Sequence, residues 1–152
     1  MTVKEFEVNT PEETEQLAQK LALLLRPNDV VTLTGDLGAG KTTFTKGLGK
    51  GLGVKRTINS PTFTIVKTYQ GEKPLYHIDA YRLEDQEEDI GFDEYFYGDG
   101  ITVVEWPSFI ASFLPKERLA IEITRTEAEH GRMIVFKPIG SFFEYVVKEL
   151  SR

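Results

Sequence analysis

The sequence predicts an α/β fold in which helices cover both faces of a mixed, mainly parallel sheet. Short apolar runs of strand length alternate along the chain with segments of helical periodicity, and such alternation is typical of parallel sheets. The apolar run VVTLT leads directly into a glycine-rich motif, which a helical segment follows. Two further runs, RLAIEITR and RMIVFK, are separated only by a polar loop and predict an antiparallel hairpin.

The chain begins with a predicted strand and a capped helix. Residues 3–8, VKEFEV, alternate between apolar and polar side chains, as a half-buried strand does. Thr10 then opens a capping box, T-P-E-E, with Pro11 at the first helical position and Glu13 three residues after the cap. The apolar face of this helix contains Leu17, Leu21, Leu24 and Leu25. We expect the helix to end before Pro27.

The segment around the glycine motif reads as strand, loop and helix. Residues 30–34 form the strand, and a helix should begin near Lys41. Glycines recur through this helix at positions 47, 49, 51 and 53. Each glycine costs about 1 kcal/mol relative to alanine in a helix interior, so we expect the helix to fray after Gly49.

The second half of the chain predicts five more strands and two helices. Residues 63–69 and 75–81 read as strands joined by a turn at 71–74, and the acidic, aromatic segment 84–97 reads as a helix. ITVVEW at 101–106 is a buried strand, and residues 118–125 and 132–137 form the hairpin.

A final helix is predicted from a second capping box. Ser141 and Glu144 have the spacing of that box, and the apolar positions behind them lie on one helical face.

Composition limits the classes of function. The 152 residues suit a single domain, and the longest aliphatic run, 21–25, is far too short to span a bilayer. Because there are no cysteines, disulfides and thiolate metal sites are excluded. No signal-peptide pattern precedes the first strand, so we expect a cytoplasmic protein without a membrane partner.

The net charge of −6 argues against a chain that holds nucleic acid by itself. A local basic stretch follows the glycine motif, and it is either a solvated helix face near an anionic ligand or a polynucleotide patch. It contains Lys41, Lys46, Lys50, Lys55 and Arg56.

The glycine motif, G-x-x-x-x-G-K-T from Gly35 to Thr42, is the pattern of a phosphate-binding loop. Its glycines allow backbone N–H groups to surround phosphate oxygens, and the helix that follows adds its positive dipole end. Lys41 can reach the β- and γ-phosphates, and the Thr42 hydroxyl can occupy one magnesium position. The motif therefore predicts a P-loop NTPase-like three-layer sandwich, with residues 1–152 forming a single ATPase domain.

Two carboxylates are candidates for the chemistry of nucleotide hydrolysis. Asp79 lies late in LYHIDAYR, and Glu105 ends the apolar part of ITVVEW. Ligands in open α/β sheets bind at the carboxyl ends of strands, so both side chains should stand beside the loop. One would join the magnesium shell and the other would orient the attacking water, although the residues alone leave the assignment open.

Several neighbouring residues have two readings each. His77 is interpreted either as a partner of the carboxylates or as a core histidine. Arg82 is interpreted either as a residue that stabilises transition-state charge or as one that forms a surface ion pair. NSPTFTIV at 59–66 is a switch segment in which Ser60 or Thr62 senses the γ-phosphate, or a proline turn with a capping hydroxyl. The guanine-specific pattern N-K-x-D and the GTPase pattern D-x-x-G are both absent from the sequence, which favours ATP.

Four motifs in this order resemble the TsaE family of small bacterial ATPases. They are GDLGAGKTTF, INSPTFTIV, HIDAYRL and VVEW, and the resemblance extends from Thr10 to about Val135. The resemblance implies magnesium-dependent ATP hydrolysis in the formation of threonylcarbamoyladenosine (t6A) at adenosine 37 of tRNA. It also implies docking on a heterodimer of a catalytic subunit and its paralogue, of the TsaD–TsaB type, with tRNA reached through that complex.

The resemblance also implies roles for individual residues. The expected nucleotide-binding residues are Thr10, Gly35, Gly38, Ala39, Gly40, Lys41, Thr42 and Thr43. Thr42 and Glu105 are expected to bind magnesium, and Lys41, Asp79 and Glu105 to be catalytic. Trp106 belongs to the active region or is a core or hinge aromatic.

Two other functions remain open at this point. A small-molecule or nucleoside kinase shares the phosphate loop, but a kinase usually has an arginine-rich lid. The arginines after Glu105 are scattered, at positions 118, 125, 132 and 152. The other alternative is a nucleotide-sensing module without catalysis, against which Asp79 and Glu105 argue.

Overall fold

One seven-stranded sheet with helices on both faces forms the computed structural model, which describes residues 3–36, 38–56, 58, 66–83 and 92–151. The strands are β1 (Lys4–Val8), β2 (Val30–Thr34), β3 (Val66–Tyr69), β4 (Leu75–Asp79), β5 (Ile101–Glu105), β6 (Arg118–Arg125) and β7 (Arg132–Ile139). The helices are α1 (Pro11–Ala22), α2 (Lys41–Gly51), α3 (Phe92–Phe96) and α4 (Ser141–Leu150). Two 3₁₀ segments cover Ala80–Leu83 and Pro107–Phe113.

The sheet is mixed, as the sequence predicts. Its strand order is β1-β7-β6-β2-β5-β4-β3. The central strands β6, β2, β5 and β4 pair in parallel, whereas β7, β1 and β3 join by antiparallel pairings. Consequently β1, β2, β4, β5 and β6 run in one direction and only β3 and β7, among the described strands, run in the other. The predicted hairpin is confirmed as β6 and β7.

Three layers result, because each face of the sheet is covered by different elements. One face packs against α1, α2 and α4 in a large apolar core. The opposite face packs against α3 and the 3₁₀ segments in a smaller core that is rich in aromatic rings. Strand β5 shows the division, since Val103 faces the larger core and Val104 faces the smaller one.

The first helix is capped as predicted. The Thr10 hydroxyl accepts a hydrogen bond from the Glu13 backbone N–H at 3.1 Å. The Glu13 carboxylate in turn accepts from the backbone N–H of Asn9 at 3.4 Å. Helix α1 therefore begins at a fixed place beside the glycine motif.

Helix α2 does not fray after Gly49, so that expectation is wrong. It continues to Gly51 because its glycines allow close contact with α1. A Cβ at Gly47 would lie 2.5 Å from the Glu15 carbonyl oxygen, and one at Gly51 would lie 2.5 Å from the Ala22 Cβ. Packing between the two helices outweighs the low helix propensity of glycine.

The second predicted capping box is also wrong. Gly140, not Ser141, caps α4, and no side chain provides the cap hydrogen bond. Gly140 has a φ of 112°, a conformation that glycine adopts without strain, so the helix begins one residue earlier than a serine cap would place it.

Strand β4 ends at Asp79, two residues earlier than the predicted strand 75–81, because the Asp79 side chain binds a backbone N–H group. The Asp79 carboxylate accepts a hydrogen bond from the Tyr81 backbone N–H at 3.1 Å, which turns the chain into the 3₁₀ segment. Of the predicted helix 84–97, residues 84–91 lie outside the described residues, as do 63–65 of the predicted third strand. None of the helices in the described part of the chain is long and apolar enough to cross a membrane.

Candidate functional site

The glycine motif forms the connection between β2 and α2. Gly38 and Gly40 have φ values of 79° and 115°, in the left-handed region that favours glycine. Gly35 is constrained by a neighbour, since a Cβ there would lie 2.6 Å from the Ile123 carbonyl oxygen. Leu37 lies outside the described residues. The described glycines thus adopt conformations and contacts that other residues would not tolerate.

Helix α2 presents an unshielded positive end at this loop. Gly40 is its N-cap and supplies no side chain, and the first turn contains no acidic residue. The first backbone N–H groups of a helix have no partner within the helix, and its dipole is positive there. This arrangement is suited to an anion.

Two carboxylates end neighbouring parallel strands beside the loop. Asp79 of β4 and Glu105 of β5 are register partners. With Lys41 and Thr42 they line one cleft of about 350 Å³. The structure therefore places both carboxylates where the strand pattern predicts them, while their roles remain predictions. The cleft is also lined by Gly38, Gly40, Thr43 and Trp106.

The Lys41 ammonium is held between a carboxylate and an aromatic ring. Its Nζ lies 3.9 Å from Glu105 Oε1 and 4.2 Å from the centroid of the Trp106 ring. Lys41 and Glu105 are both buried. In this state the lysine is engaged by protein groups on the floor of the cleft.

Glu105 has a second partner on the strand beside it. The Nε2 atom of His77 lies 2.5 Å from Glu105 Oε2, and the imidazole is fully buried. Of the two readings that the sequence left open, the structure favours a partner of the carboxylates. The Glu105 carboxylate thus has one oxygen beside His77 and the other facing Lys41.

Trp106 has an unusual backbone conformation. Its φ of 57° lies in the left-handed region, which few residues other than glycine adopt. The indole packs against the rings of Phe109 and the exposed Tyr81, with centroid distances of 6.2 Å and 5.2 Å. The turn at Trp106 ends β5 directly after Glu105 and lets the ring cover Lys41. Trp106 therefore belongs to the site as well as to its aromatic surroundings.

Arg132 is a neighbour of the loop that the sequence did not identify. Its Nε donates a hydrogen bond to the Ala39 carbonyl oxygen at 2.7 Å, and its Nη1 donates to the Gly131 carbonyl oxygen at 2.7 Å. Its register partner Arg125 also lies beside the loop, since a Cβ at Gly38 would lie 2.6 Å from Arg125 Nη2. Two arginines that are scattered in sequence therefore meet at the loop.

A small cavity of about 40 Å³ lies between the loop and the first turn of α1. It is lined by Pro11, Thr14, Gly40, Thr43, His130 and Arg132. Thr10 does not line this cavity, and its hydroxyl accepts the cap hydrogen bond of α1. Ala39 is buried within the loop, and like Gly35 it does not line either cavity.

Three other predicted residues cannot be placed. Ser60 and Thr62 lie outside the described residues, and so does the side chain of Arg82. The alternative readings of these positions stay open.

Comparisons with known proteins agree on one family. The family model described as "Threonylcarbamoyl adenosine biosynthesis protein TsaE" matches residues 8–134. The tRNA threonylcarbamoyladenosine biosynthesis protein TsaE of Bacillus subtilis (strain 168) is 54% identical over 143 residues, which cover 93% of this chain and 90% of that protein. The protein of the same name from Treponema pallidum (strain Nichols) is 47% identical over 113 residues, or 73% and 83% of the two chains.

A solved structure has the same fold. The crystal structure of Bacillus subtilis YdiB matches with a TM-score of 0.87 and 45% sequence identity, covering 99% of this chain and 95% of that one.

Proposed function

The chain belongs to the TsaE family of threonylcarbamoyl adenosine biosynthesis proteins, and from that premise we propose that it is a magnesium-dependent P-loop ATPase required for t6A formation at adenosine 37 of tRNA. In this proposal residues 1–152 act as a single ATPase domain. The observation that carries the proposal is the cleft in which Lys41, Thr42, Asp79 and Glu105 meet at the positive end of α2.

Phosphates would bind at the glycine loop. The backbone N–H groups of the loop and the first turn of α2 would bind the phosphate oxygens, and the Lys41 ammonium would compensate their charge. For this the ammonium must turn from Glu105 towards the phosphates. The contact with Trp106 favours keeping the positive charge at the cleft during that movement.

The donors in the cleft fit Mg²⁺. No group of three or more His, Cys, Asp or Glu side chains in the described part of the chain could hold a metal by itself. Mg²⁺ bound with ATP does not need one, because it usually takes one or two carboxylates and completes its shell with phosphate oxygens and water. Thr42 and Glu105 would supply protein ligands, and Asp79 would support the metal or the water. The bound ion supplies positive charge next to the phosphates being cleaved.

Hydrolysis requires water to attack the terminal phosphorus as its bond to the bridging oxygen breaks. The protein's part is to orient that water and to compensate negative charge. A carboxylate of the cleft can accept a hydrogen bond from the water and so direct its lone pair at phosphorus. Asp79 and Glu105 lie side by side at the ends of β4 and β5. We therefore propose both as catalytic residues, together with Lys41.

The nucleotide would be ATP, and its nucleoside part would lie towards the first turn of α1. The small cavity beside Gly40 and Thr43 supports this direction, since Pro11 and Thr14 form its opposite wall. Thr10 immediately precedes that wall, and the family resemblance implies that it borders the nucleotide.

We further infer that turnover depends on a partner, a heterodimer of the TsaD–TsaB type that itself contacts tRNA. The ion pair between Lys41 and Glu105 supports slow basal turnover, because two catalytic groups neutralise each other in the isolated chain. A partner that inserts a charge or orders residues 59–66 around the γ-phosphate would favour the arrangement in which Lys41 and Glu105 are separated and each acts on the nucleotide.

The test is phosphate release by the Lys41→Ala variant, with and without the heterodimer. We expect hydrolysis to be abolished and ATP binding, measured by calorimetry, to be weakened, because the lysine's charge faces the phosphates. Lys50→Ala is the matched control, since Lys50 lies on the same helix but is exposed and pairs with Glu15. Hydrolysis near the wild-type rate in Lys41→Ala would refute the proposal. A parallel screen for phosphorylated small molecules identifies a kinase, the alternative function.

A further inference from the structure

His77 is a buried histidine for which the proposed hydrolysis has no direct use. It lies on β4, is fully buried and has its Nε2 2.5 Å from Glu105 Oε2. Its other ring nitrogen, Nδ1, is buried and has no hydrogen-bond partner among the described residues. The ring therefore makes one polar contact in the described structure, and that contact is to a proposed catalytic carboxylate.

These surroundings determine where the imidazole proton lies. With the proton on Nε2, the ring donates to the carboxylate and leaves only a lone pair on Nδ1 without a partner. With the proton on Nδ1, a buried N–H donor would have no acceptor in the described part of the chain. Nε2 and the carboxylate would then face each other as two acceptors, unless Glu105 carried a proton. Because a buried donor without a partner is costly, a ring that carries its proton on Nε2 and donates it to Glu105 fits the described contacts best.

The hydrogen bond restricts the orientation of the carboxylate. Glu105 Oε2 is held by His77, so the remaining oxygen, Oε1, points to Lys41 at 3.9 Å. Because His77 holds Oε2, the Glu105 carboxylate cannot rotate freely when Lys41 moves from Oε1 towards the phosphates. Hydrogen bonds of this kind to metal-binding carboxylates and similar groups set their orientation in many sites.

We propose that His77 is a positioning residue. It donates from Nε2 to Glu105 and thereby presents the second oxygen of that carboxylate to the cleft, while contacting neither nucleotide nor metal itself. The proposal rests on the proposed function in that Glu105 acts on the bound nucleotide. It goes beyond that function by assigning a role to a residue outside the cleft.

The first test measures the position of the imidazole proton in the wild-type protein without nucleotide. Long-range ¹H–¹⁵N correlation spectra of ¹⁵N-histidine-labelled protein distinguish the two neutral forms and the doubly protonated ring. The expected result for His77 is a protonated Nε2 and a bare Nδ1. A bare Nε2, with the proton on Nδ1 alone, would overturn the proposal. This readout does not depend on hydrolysis, so it separates a failure of the proposal from a failure of the ATPase function.

The second test compares two substitutions of the histidine. His77→Leu removes the donor, whereas His77→Gln keeps an amide N–H that reaches a similar position. We expect His77→Leu to lower kcat by roughly 10–100-fold with the ATP KM changed less than about threefold, and His77→Gln to recover most of the loss. Ile78→Val is the matched control, because its side chain is buried in the core on the opposite face of the same strand.

A double mutant distinguishes positioning from general packing. If His77 acts through Glu105, then His77→Leu should cause no further loss of kcat in a Glu105→Gln background. An equal loss in both backgrounds would overturn the proposal, and so would a Leu variant that is less stable but turns over normally. Should the Leu variant fail to fold, the proton position in the wild type and the kcat of His77→Gln decide the question. A bare Nε2, or a loss of kcat in the Gln variant as large as that expected for Leu, would overturn the proposal.

Discussion

Replacing Gly47 with alanine is expected to destabilise the protein, even though alanine is the better helix former. The added Cβ would lie 2.5 Å from the Glu15 carbonyl oxygen and 2.7 Å from the Ala18 Cβ, both on α1. Neither atom can move by a side-chain rotation, so the two helices would have to separate. Gly49 lies on the same helix, but an added Cβ there would meet the end of the Ile58 side chain, which can change its rotamer.

The expected magnitudes follow from these two contacts. Alanine gains about 1 kcal/mol over glycine in a helix interior at both positions. Overpacking against a fixed backbone costs about 1–3 kcal/mol, so Gly47→Ala should be destabilised by as much as about 2 kcal/mol. An off-rotamer side chain costs only about 0.5–1.5 kcal/mol, which leaves Gly49→Ala near the wild-type stability. The two variants should therefore differ by about 1 kcal/mol at the midpoints of these ranges and by up to about 2.5 kcal/mol at their limits.

Urea and thermal unfolding followed by circular dichroism measure this difference. For a chain of this size a difference of about 1–2.5 kcal/mol corresponds to a gap in Tm of roughly 2–10 °C. The urea m-value should be the same in both variants, because the surface exposed on unfolding hardly changes. Gly47→Ala unfolding at or above the temperature of Gly49→Ala would refute the conclusion that the contact between α1 and α2 requires glycine.

Four further predictions concern the site and the pH dependence of stability. Glu105→Gln should still bind ATP but lose hydrolysis by roughly 10²–10⁴-fold, since the amide keeps the size and removes the charge; normal phosphate release would shift the role to Asp79. Phosphate release by the isolated chain should be slow and rise with the heterodimer, and fast turnover unchanged by the heterodimer would contradict this. Thr62→Ala should remove the stimulation if the partner orders residues 59–66 and spare much of it if the partner inserts a charge. Burial raises the pKa of the Asp29 carboxyl above its ordinary value of 3.8 despite the nearby Arg26. The folded chain therefore holds the carboxyl proton more tightly than the unfolded chain, and stability should fall as the pH rises from 3.8 through the raised pKa. Urea titrations of wild type and Asp29→Asn check this, and equal pH slopes would contradict it.

The part of the site that follows from local pattern could be predicted from sequence. Asp79 and Glu105 each end an apolar run, and parallel strands place such ends at one edge of the sheet. The glycine motif between a strand and a helix likewise specifies its own geometry, including the left-handed Gly38 and Gly40. Both carboxylates accordingly line the cleft beside the loop, while their roles stay predictions.

Contacts between distant segments could not be predicted in this way. Arg132 lies on β7, which pairs with β6, and β6 in turn pairs with β2, the strand that leads into the loop. Its hydrogen bond to the Ala39 carbonyl depends on this strand order, which no local pattern specifies. The prediction that α2 frays after Gly49 was wrong for the same reason. Helix propensity is a local property, whereas the packing of α2 against α1 is not. Ser141 was misread because a cap pattern does not reveal that the preceding glycine takes a positive φ.

The close contact between α1 and α2 fixes the width of the proposed nucleotide site at one end. Pro11 and Thr14 on the first turn of α1 form one wall of the small cavity, and Thr43 on α2 belongs to the other. The spacing of these walls is set further along the helices, where Gly47 and Gly51 allow the two backbones to touch. A group bound at this end thus lies between two helices whose separation is fixed by their packing, so any adjustment of the site to a bound group would have to come from its other side, at the end of β4.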